Sequence, residues 1–339
     1  MSKEKIKIGV IGYGGAYNMG RAHLLEAKQA GMVLSAVTDL DVERLAVAKD
    51  DFPEIQTYTS VAEMLRKSDV DIVTIITPHN THANLAVQCL NAGRHAVVEK
   101  PFAITTAECD RMIAAAEKKK VMLSTYHNRH WDGCILQAVK QIGKGRIGDI
   151  VRIEAHMGAW REPREWWRSS RSISGGILYD WGIHILEYSL QLIQAGIVEV
   201  SGFAANGLWA ASNRWKEDTN EDEAAAFVRF DNGAYINLRM SSLDGNPKPG
   251  QLEITGTKGS YVFDGRTYEL IVPKKGSTVR EAGNNPKSES WRFYRNVADH
   301  LTNGAKLIIT PQWARRPVHI IDLAVRSAKA GKALKAKYS

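Results

Sequence analysis

Short apolar runs alternate with helix-like stretches through the first 125 residues of the chain. The apolar runs predict buried strands at residues 6–11, 33–38, 56–58, 71–76, 96–98 and 121–123. The stretches between them predict helices near residues 20–30, 42–50, 60–67, 82–92 and 105–119. Gly31 and Gly93 stand where two of these helices would end. Strands that alternate with helices indicate right-handed βαβ units and a parallel sheet with helices on both faces.

The pattern changes after about residue 125. Further elements are predicted as helices near 132–142 and 180–194 and as strands at 150–157, 227–230, 234–238, 251–255 and 260–263. From residue 197 onward the strands have a period of two, and Asp231-Asn232-Gly233 joins two of them in a hairpin. We therefore expect an α/β protein whose second sheet is mostly antiparallel, with helices on one face.

Two domains follow from this change of pattern. Residues 1–125 are predicted to form the first domain and residues 126–339 the second, with a C-terminal helix at about 311–330 that packs back on the body. A chain of 339 residues is long for one core and fits two domains. Its 44% hydrophobic and 24% charged residues are typical of a soluble globular protein.

The charge and cysteine content narrow the possible partners. The formal net charge of +8 is spread over the chain rather than collected in one block, and no nucleic-acid motif accompanies it. No apolar run is long enough to cross a membrane, and the N-terminus leads straight into a strand. The three cysteines form no CxxC pair. We expect a cytoplasmic protein that binds neither nucleic acid nor membrane.

A glycine-rich turn follows the first strand. The dinucleotide fingerprint is G-x-G-x-x-G, and Gly12 and Gly14 match its first two glycines. The third position falls on Tyr17, and the next glycine, Gly20, comes three residues later. This spacing predicts a lengthened loop and a late helix start. Residues at this turn predicted to bind the cofactor are Gly12, Gly14, Gly15 and Asn18, although Asn18 could instead simply close the loop.

An acid ends the second strand. Asp39 stands where a carboxylate binds the adenosine ribose hydroxyls and repels a 2′-phosphate, and no arginine follows it immediately. NAD is therefore favoured over NADP, although Asp39 or Asp41 could also cap the next helix. After the fourth strand, the residues expected to lie against the cofactor are Thr77, Pro78, Asn80 and His82. His79 and His82 have a metal-compatible spacing, but no cysteine or carboxylate cluster joins them, so no metal is predicted.

Three side chains are candidates for the chemistry. Lys100, in Glu99-Lys100-Pro101, stands at the end of a parallel strand, where an ammonium can stabilise the oxyanion formed as a hydride leaves. Asp180 and His184 are i and i+4, so a helix places them on one face, and Gly175-Gly176 would let the backbone approach a ligand. Each has a plainer interpretation as a surface lysine, a capping aspartate and a core histidine.

Together these motifs resemble the Gfo/Idh/MocA oxidoreductases. The motifs that carry the resemblance are Gly12-x-Gly14, Asp39, Thr77-Pro78 with His82, Glu99-Lys100-Pro101 and the run from Gly175 to His184. The resemblance implies an N-terminal Rossmann domain and a C-terminal α/β domain with an open, mostly antiparallel sheet, often used for dimer or tetramer contacts. It also implies that Lys100 is the catalytic lysine and that Asp180 and His184 are its partners.

The resemblance extends to residues around the substrate. It implies that Asn128 and Arg129 lie near the substrate and that Trp167 and Arg168 approach the cofactor or the substrate mouth, with Glu99 near the nicotinamide ribose. Extra arginines at 161, 164 and 171, interleaved with tryptophans, indicate either an anionic sugar or a surface charge cluster.

The expected activity is an NAD-dependent dehydrogenase of a secondary alcohol on a sugar, inositol or derivative, working as a homodimer or homotetramer. The alternative is an NAD-dependent glycoside-cleaving enzyme that oxidises C3 transiently and eliminates the aglycone. That chemistry needs a further base near C2, for which His127, His130 and Tyr179 are candidates. A third interpretation is a non-catalytic sensor, against which the joint presence of Lys100, Asp180 and His184 argues.

Overall fold

The computed structural model describes residues 5–15, 17–248 and 250–338. The chain divides into two compact units, one formed by residues up to 128 together with 291–315 and the other by 129–290 together with 316–339. The predicted boundary after residue 125 is close to this division. Residues 291–315 were predicted with the second domain, but they group with the first unit.

A parallel sheet forms the centre of the first unit. Its strands are β1 (Lys7–Ile11), β2 (Val33–Thr38), β3 (Gln56–Tyr58), β4 (Ile72–Ile75), β5 (His95–Val98) and β6 (Leu123–Thr125). Over residues 5–15 and 17–128 these six strands are all parallel, in the order β3-β2-β1-β4-β5-β6. The parallel sheet is thus confirmed, although β6 begins two residues later than predicted.

Helices connect these strands. They are α1 (Met19–Gln29), α2 (Val42–Asp51), α3 (Val61–Lys67), α4 (His82–Asn91) and α5 (Thr106–Lys119), with a 3-10 helix at His79–Thr81. The central strands are buried on both faces, and Val10, Ile72 and Val97 have no exposed surface. Continuous apolar strands are what a sheet covered on both sides requires. The carboxyl ends of β1, β2, β4 and β5 therefore meet at one edge of the sheet.

The second unit is built on a larger sheet. Its strands are β7 (Ile150–Gly158), β8 (Ile197–Ala205), β9 (Glu223–Phe230), β10 (Tyr235–Ser241), β11 (Leu252–Gly256), β12 (Ser260–Phe263), β13 (Thr267–Lys274), β14 (Ser277–Asn284) and β15 (Leu334–Lys335). Across residues 129–248 and 250–338 these nine strands run in the order β14-β13-β12-β11-β7-β10-β9-β8-β15. The pair β7–β10 is parallel and the other neighbours are antiparallel. The mostly antiparallel sheet and its β9–β10 hairpin are confirmed, whereas β13 and β14 were not anticipated.

Helices cover one face of this sheet. The helical segments before residue 290 are α6 (Gly133–Gly143), α7 (Arg171–Ser174) and α8 (Trp181–Leu192), with 3-10 helices at Asn128–Trp131, Trp167–Ser169, Ile177–Tyr179 and Lys216–Asp218. Helix α8 is almost entirely buried, and its Gly182 faces Leu238 of β10. On the opposite face Phe203 is 58% and Phe227 39% exposed.

Two further helices, α9 (Arg292–Asn303) and α10 (Pro311–Ala330), lie between β14 and β15. In the first unit Phe293 of α9 packs edge-on against Tyr126, with ring centroids 5.0 Å apart. In the second unit the end of α10 lies against β8, where the Gly202 amide donates to Ser327 Oγ at 2.9 Å. None of the helices within the described ranges combines the length and apolar character needed to cross a bilayer.

The close approach of α10 to β8 depends on Gly202. A Cβ atom at this position would lie 1.9 Å from the Ala324 carbonyl oxygen of α10. We expect Gly202→Ala to lower the free energy of unfolding by about 1–3 kcal/mol, the usual cost of overpacking, as measured by urea denaturation. Gly143→Ala is the control, since a Cβ there meets nothing within 4 Å. Equal stabilities of the two variants would contradict this account of the packing.

Candidate active site

The glycine turn begins at the end of β1. Gly12 has φ of +96°, and a Cβ on it would lie 2.4 Å from the Ile76 carbonyl oxygen, so only glycine fits there. A Cβ on Gly14 would meet nothing within 4 Å, which leaves open space for a ligand beside the exposed backbone. Helix α1 begins at Met19, after Asn18 in the left-handed conformation with φ of 51°. The late helix start is confirmed.

Gly20 supplies the close packing that the fingerprint assigns to its third glycine. A Cβ on Gly20 would lie 2.7 Å from Tyr13 Cδ2 and 3.0 Å from the Gly12 carbonyl oxygen. The Tyr13 ring is buried there, and its hydroxyl donates to Asp51 Oδ2 at 2.7 Å. Burial and the Asp51 carboxylate raise the pKa of Tyr13, so the phenol stays a donor. The lengthened loop therefore keeps the helix–strand contact of the shorter motif.

Asp39 ties the glycine turn to β2. Its Oδ2 accepts from the Tyr13 amide at 2.6 Å and its Oδ1 from the Asp41 amide at 2.9 Å. Asp41, rather than Asp39, caps α2 by accepting from the Glu43 amide at 2.9 Å. Each carboxylate oxygen can accept more than one hydrogen bond, so the residue still suits a ribose hydroxyl.

Arg44 lies over the same turn and was missed by sequence reasoning. The position of a Cβ on Gly15 would be 2.4 Å from Arg44 Nη1. The prediction that no arginine follows Asp39 covered only the residues directly after it. Arg44 stands in the first turn of α2, which begins three residues after Asp39, and this position in the sequence is the signal for it.

The loop after β4 contains the other predicted cofactor residues. Thr77 Oγ1 lies 2.6 Å from Thr81 Oγ1, and Asn80 is exposed. His82 is fully buried, with Nδ1 2.8 Å from the Pro101 carbonyl oxygen and Nε2 2.9 Å from that of Thr77. The predicted cofactor contact of His82 is therefore corrected: its imidazole joins the loop after β4 to the loop after β5.

Lys100 follows β5 and is half-buried, and its peptide bond to Pro101 is cis. The preceding carboxylate points into the unit: Glu99 Oε1 lies 3.2 Å from His23 Nε2, and Oε2 accepts from the Lys100 amide at 2.7 Å. Burial acts to raise the pKa of Glu99, but His23 and the Lys100 charge outweigh it and the pKa is lowered. His23 continues inward to the Tyr294 hydroxyl at 2.8 Å. The turn that bears Lys100 is thus anchored through its neighbour.

In the second unit, Arg129 stands just after Asn128 in a 3-10 helix. Arg129 Nη1 donates to Asp132 Oδ2 at 2.9 Å, and its guanidinium lies 4.5 Å from the Trp181 ring centroid. Asp132 also accepts from the Tyr188 hydroxyl at 2.6 Å. Arg129 is therefore fixed beside the first residue of α8.

Asp180 and His184 lie at the start of α8. Asp180 precedes the helix, but its side chain makes no capping hydrogen bond; its Oδ1 accepts from Arg168 Nη1 at 3.0 Å. The capping interpretation of Asp180 is excluded. The His184 side chain is buried, and its ring lies 5.6 Å from that of Trp181.

The glycines before Asp180 are required by packing. Gly175 and Gly176 have φ of +94° and +126°. A Cβ on Gly175 would lie 2.7 Å from the Tyr179 ring, and one on Gly176 2.6 Å from Glu221 Oε2. These contacts explain why both positions are glycine.

A second polar pair continues along α8. Glu187 is 1% exposed, and its Oε1 lies 2.5 Å from His130 Nδ1. Gln191 donates to Glu187 Oε2 at 3.0 Å. Asp180, His184, Glu187 and Gln191 are spaced i, i+4, i+7 and i+11, so they share one face. The same helical period that selected Asp180 and His184 would have found Glu187.

The extra arginines, Arg161, Arg164 and Arg171, do not share one environment. Arg171 donates to Asn206 Oδ1 at 2.7 Å and pairs with Glu221 at 3.3 Å, whereas Arg161 and Arg164 are exposed. The guanidinium of Arg171 is therefore bound by side chains of this protein.

Within the described part of the chain, no group of three or more histidine, cysteine, aspartate or glutamate side chains is arranged to hold a metal ion.

The burial of His82 predicts a pH effect on stability. Burial lowers its pKa, so as pH falls below about 6.5, the ordinary histidine value, the unfolded chain binds a proton that the folded chain does not. The folded state therefore carries no penalty from His82 above that pH and loses stability as the pH decreases below it. We expect His82→Asn to be less stable than the parent at pH 7.5 but to lose less stability on going to pH 5, in urea titrations at several pH values. Parallel stability–pH curves for the two proteins would contradict this assignment.

Residues 6–127 match the GFO/IDH/MocA oxidoreductase family model, described as an NAD-binding Rossmann fold, and residues 135–262 match the family's C-terminal domain. A scyllo-inositol 2-dehydrogenase (NADP(+)) of Bacillus subtilis is 26% identical over 96% of this chain and 94% of its own length. An uncharacterized oxidoreductase of Escherichia coli, YhhX, is 31% identical over 75% of this chain and 77% of its own length.

Solved structures show the same fold. A levoglucosan dehydrogenase in complex with NADH and levoglucosan has a TM-score of 0.84 at 20% identity, covering 98% of this chain and all of its own. Matches to several other relatives span only 40% to 58% of those proteins' length. The two family models together cover more than half of the chain, and the resemblance expected from its motifs is confirmed. The chain belongs to the Gfo/Idh/MocA family and is an oxidoreductase with an NAD-binding Rossmann domain.

Proposed function

We propose that this protein is a dehydrogenase that moves a hydride between a nicotinamide dinucleotide and a secondary alcohol of a sugar, inositol or sugar derivative. The observation that carries the proposal is the carboxyl edge of the first sheet. There the open glycine turn after β1, Asp39 after β2 and Lys100 after β5 stand around the point where the chain order reverses between β1 and β4. That reversal is where open α/β sheets bind dinucleotides.

The names of the relatives support the substrate class. The relative from Bacillus subtilis is named as a scyllo-inositol dehydrogenase. One of the similar solved structures is named as a dehydrogenase in complex with levoglucosan, an anhydrosugar. A myo-inositol 2-dehydrogenase of Thermotoga maritima is 28% identical over 79% of this chain. We therefore place the substrate among small polyhydroxylated rings.

We assign catalytic roles to Lys100, Asp180 and His184. The glycine turn and Asp39 would hold NAD, which would supply the hydride acceptor for the reaction. The Lys100 ammonium donates a hydrogen bond to the substrate hydroxyl and stabilises negative charge on that oxygen. His184 takes the hydroxyl proton as general base, and Asp180 accepts a hydrogen bond that orients the substrate. Asn128, Arg129 and Trp167 are proposed to contact the substrate, and Gly12, Gly14, Gly15, Asn18, Thr77, Pro78, Asn80 and Glu99 the cofactor.

A second candidate is the glycoside-cleaving reaction, which one observation favours. His130 is held at Nδ1 by the buried Glu187 carboxylate, the arrangement that orients an imidazole as a general base. Such a base can remove the acidic C–H next to a transient ketone. Cleavage of a glycoside without accumulation of NADH would favour this candidate, and steady NADH accumulation would favour the dehydrogenase.

We further propose a cytoplasmic homodimer or homotetramer. Cys89, Cys109 and Cys134 are buried and form no disulfide, which suits a reducing compartment. The exposed aromatic side chains on the open face of the second sheet suit an interface between copies.

The catalytic assignment is tested by a screen of sugars, sugar acids and polyols for NAD reduction. With an active substrate, we expect Lys100→Ala to lower kcat by about 10²–10³-fold, the usual effect of removing an oxyanion donor, with NADH binding retained in fluorescence titrations. Lys67→Ala is the control, since Lys67 is exposed and paired with Glu63. An unchanged rate in Lys100→Ala would refute the mechanism.

The preference for NAD is tested at Asp39. Asparagine keeps an oxygen that can accept from the Tyr13 amide but removes the charge that repels a 2′-phosphate. We expect Asp39→Asn to reduce the ratio of kcat/KM for NAD over NADP by about tenfold or more, which corresponds to about 1.4 kcal/mol of lost discrimination. Asp41→Asn is the matched control, because Asp41 caps α2. A ratio that stays the same in both variants would remove the role given to Asp39.

A further inference from the structure

Asp180 is oriented from outside its own helix. It stands at the position of an N-cap for α8, with φ of −84° and ψ of −81°, yet its carboxylate makes no capping hydrogen bond. Its Oδ1 instead accepts from Arg168 Nη1 at 3.0 Å. The Asp180 side chain is 39% exposed and that of Arg168 is 20% exposed, so solvent screens this ion pair only in part. Arg168 therefore holds the carboxylate away from the helix end.

The guanidinium of Arg168 is itself held by aromatic rings. Its Cζ lies 5.4 Å from the Trp166 ring centroid and 5.2 Å from that of Trp167. A planar guanidinium packs on indoles and keeps its charge at any accessible pH. The contacts reduce the number of rotamers open to Arg168, so less conformational entropy is lost when it binds the Asp180 carboxylate.

The backbone around Arg168 is fastened by a loop 52 residues further along. Asn220 Nδ2 donates to the Arg168 carbonyl oxygen at 2.7 Å, and Asn220 Oδ1 accepts from Ser174 Oγ at 3.0 Å. Trp215 Nε1 donates to the Trp166 carbonyl oxygen at 2.9 Å. Asn220 thus links the segment that bears Arg168 to the segment that leads into Asp180.

We infer that Arg168 is a positioning residue that acts on the reaction through Asp180. The first turn of α8 has amide groups that attract a carboxylate at the N-cap position. Without the guanidinium, Asp180 turns to these amides and leaves the orientation in which it can accept from a substrate hydroxyl. This inference rests on the role proposed above for Asp180.

A double-variant cycle tests the inference. The variants are Arg168→Gln, Asp180→Asn and their combination, with kcat and KM measured for the substrate and the dissociation constant of NADH measured by fluorescence. We expect Arg168→Gln to lower kcat by about 10–100-fold and to leave NADH binding within about twofold. In the Asp180→Asn background the same change should alter kcat by less than about threefold, because residues that act through one contact are not additive.

Two further variants make the cycle specific. Arg168→Lys keeps the charge but not the planar fork, so we expect it to recover part of kcat, and it takes the place of Arg168→Gln in the cycle if that variant does not fold. Arg214→Gln is the matched control, since the exposed Arg214 also stacks on an indole, 4.5 Å from the Trp215 centroid. We expect the control to keep the parent kcat.

The outcomes separate the inference from the proposed function. If Asp180→Asn leaves kcat unchanged, the role of Asp180 in the proposed function fails and the inference fails with it. If Asp180→Asn lowers kcat but the Arg168 effect multiplies in full on top of it, the inference alone is overturned. NADH binding weakened tenfold or more with an unchanged kcat would likewise overturn it and return Arg168 to the cofactor.

Discussion

The position of Lys100 depends on one buried imidazole. His82 lies between the Thr77 and Pro101 carbonyl oxygens and so joins the loops that follow two neighbouring strands of the parallel sheet. A neutral imidazole has one N–H, so only one of these contacts is a hydrogen bond at a time unless the ring takes a proton. Burial opposes that proton. The carboxyl edge of the sheet is therefore held by a group whose second contact is unsatisfied in the neutral state.

Most of the fold could be predicted from the sequence because the features that determine its strands and helices are local. Apolar strands, intervening helices and glycine stops are readable within a few residues, and β1 to β5 lie close to their predicted positions. The role of Gly20 was not readable in this way, since it depends on the Tyr13 ring and on Asp51, in another helix, which holds the Tyr13 hydroxyl. The strand β14 is exposed along almost its whole length and so lacks the apolar alternation that marks a half-buried strand. Its neighbour β13 has exposed residues at both ends and only one buried residue.

The candidate site, too, could be predicted from the sequence only in part. Helical spacing was enough to put Asp180 and His184 on one face, but it did not reveal that Asp180 is bound by Arg168 instead of capping its helix. That preference depends on two indoles and on Asn220, none of which a motif records. Similarly, no motif reveals that the Tyr179 ring and the Glu221 carboxylate exclude a Cβ at Gly175 and Gly176.

The polar face of α8 is the strongest departure from what stability alone would select. A helix buried along most of its length would be at least as stable with apolar side chains in place of Glu187 and His184, since taking a carboxylate out of water costs more than a single pair usually returns. Here the Glu187 carboxylate has its partners, His130 and Gln191, and Asp180 has Arg168. Proteins break the rule of an apolar core mainly at functional sites. The alignment of four polar side chains on one face of a buried helix is therefore an argument for chemistry at α8 that is independent of any sequence motif.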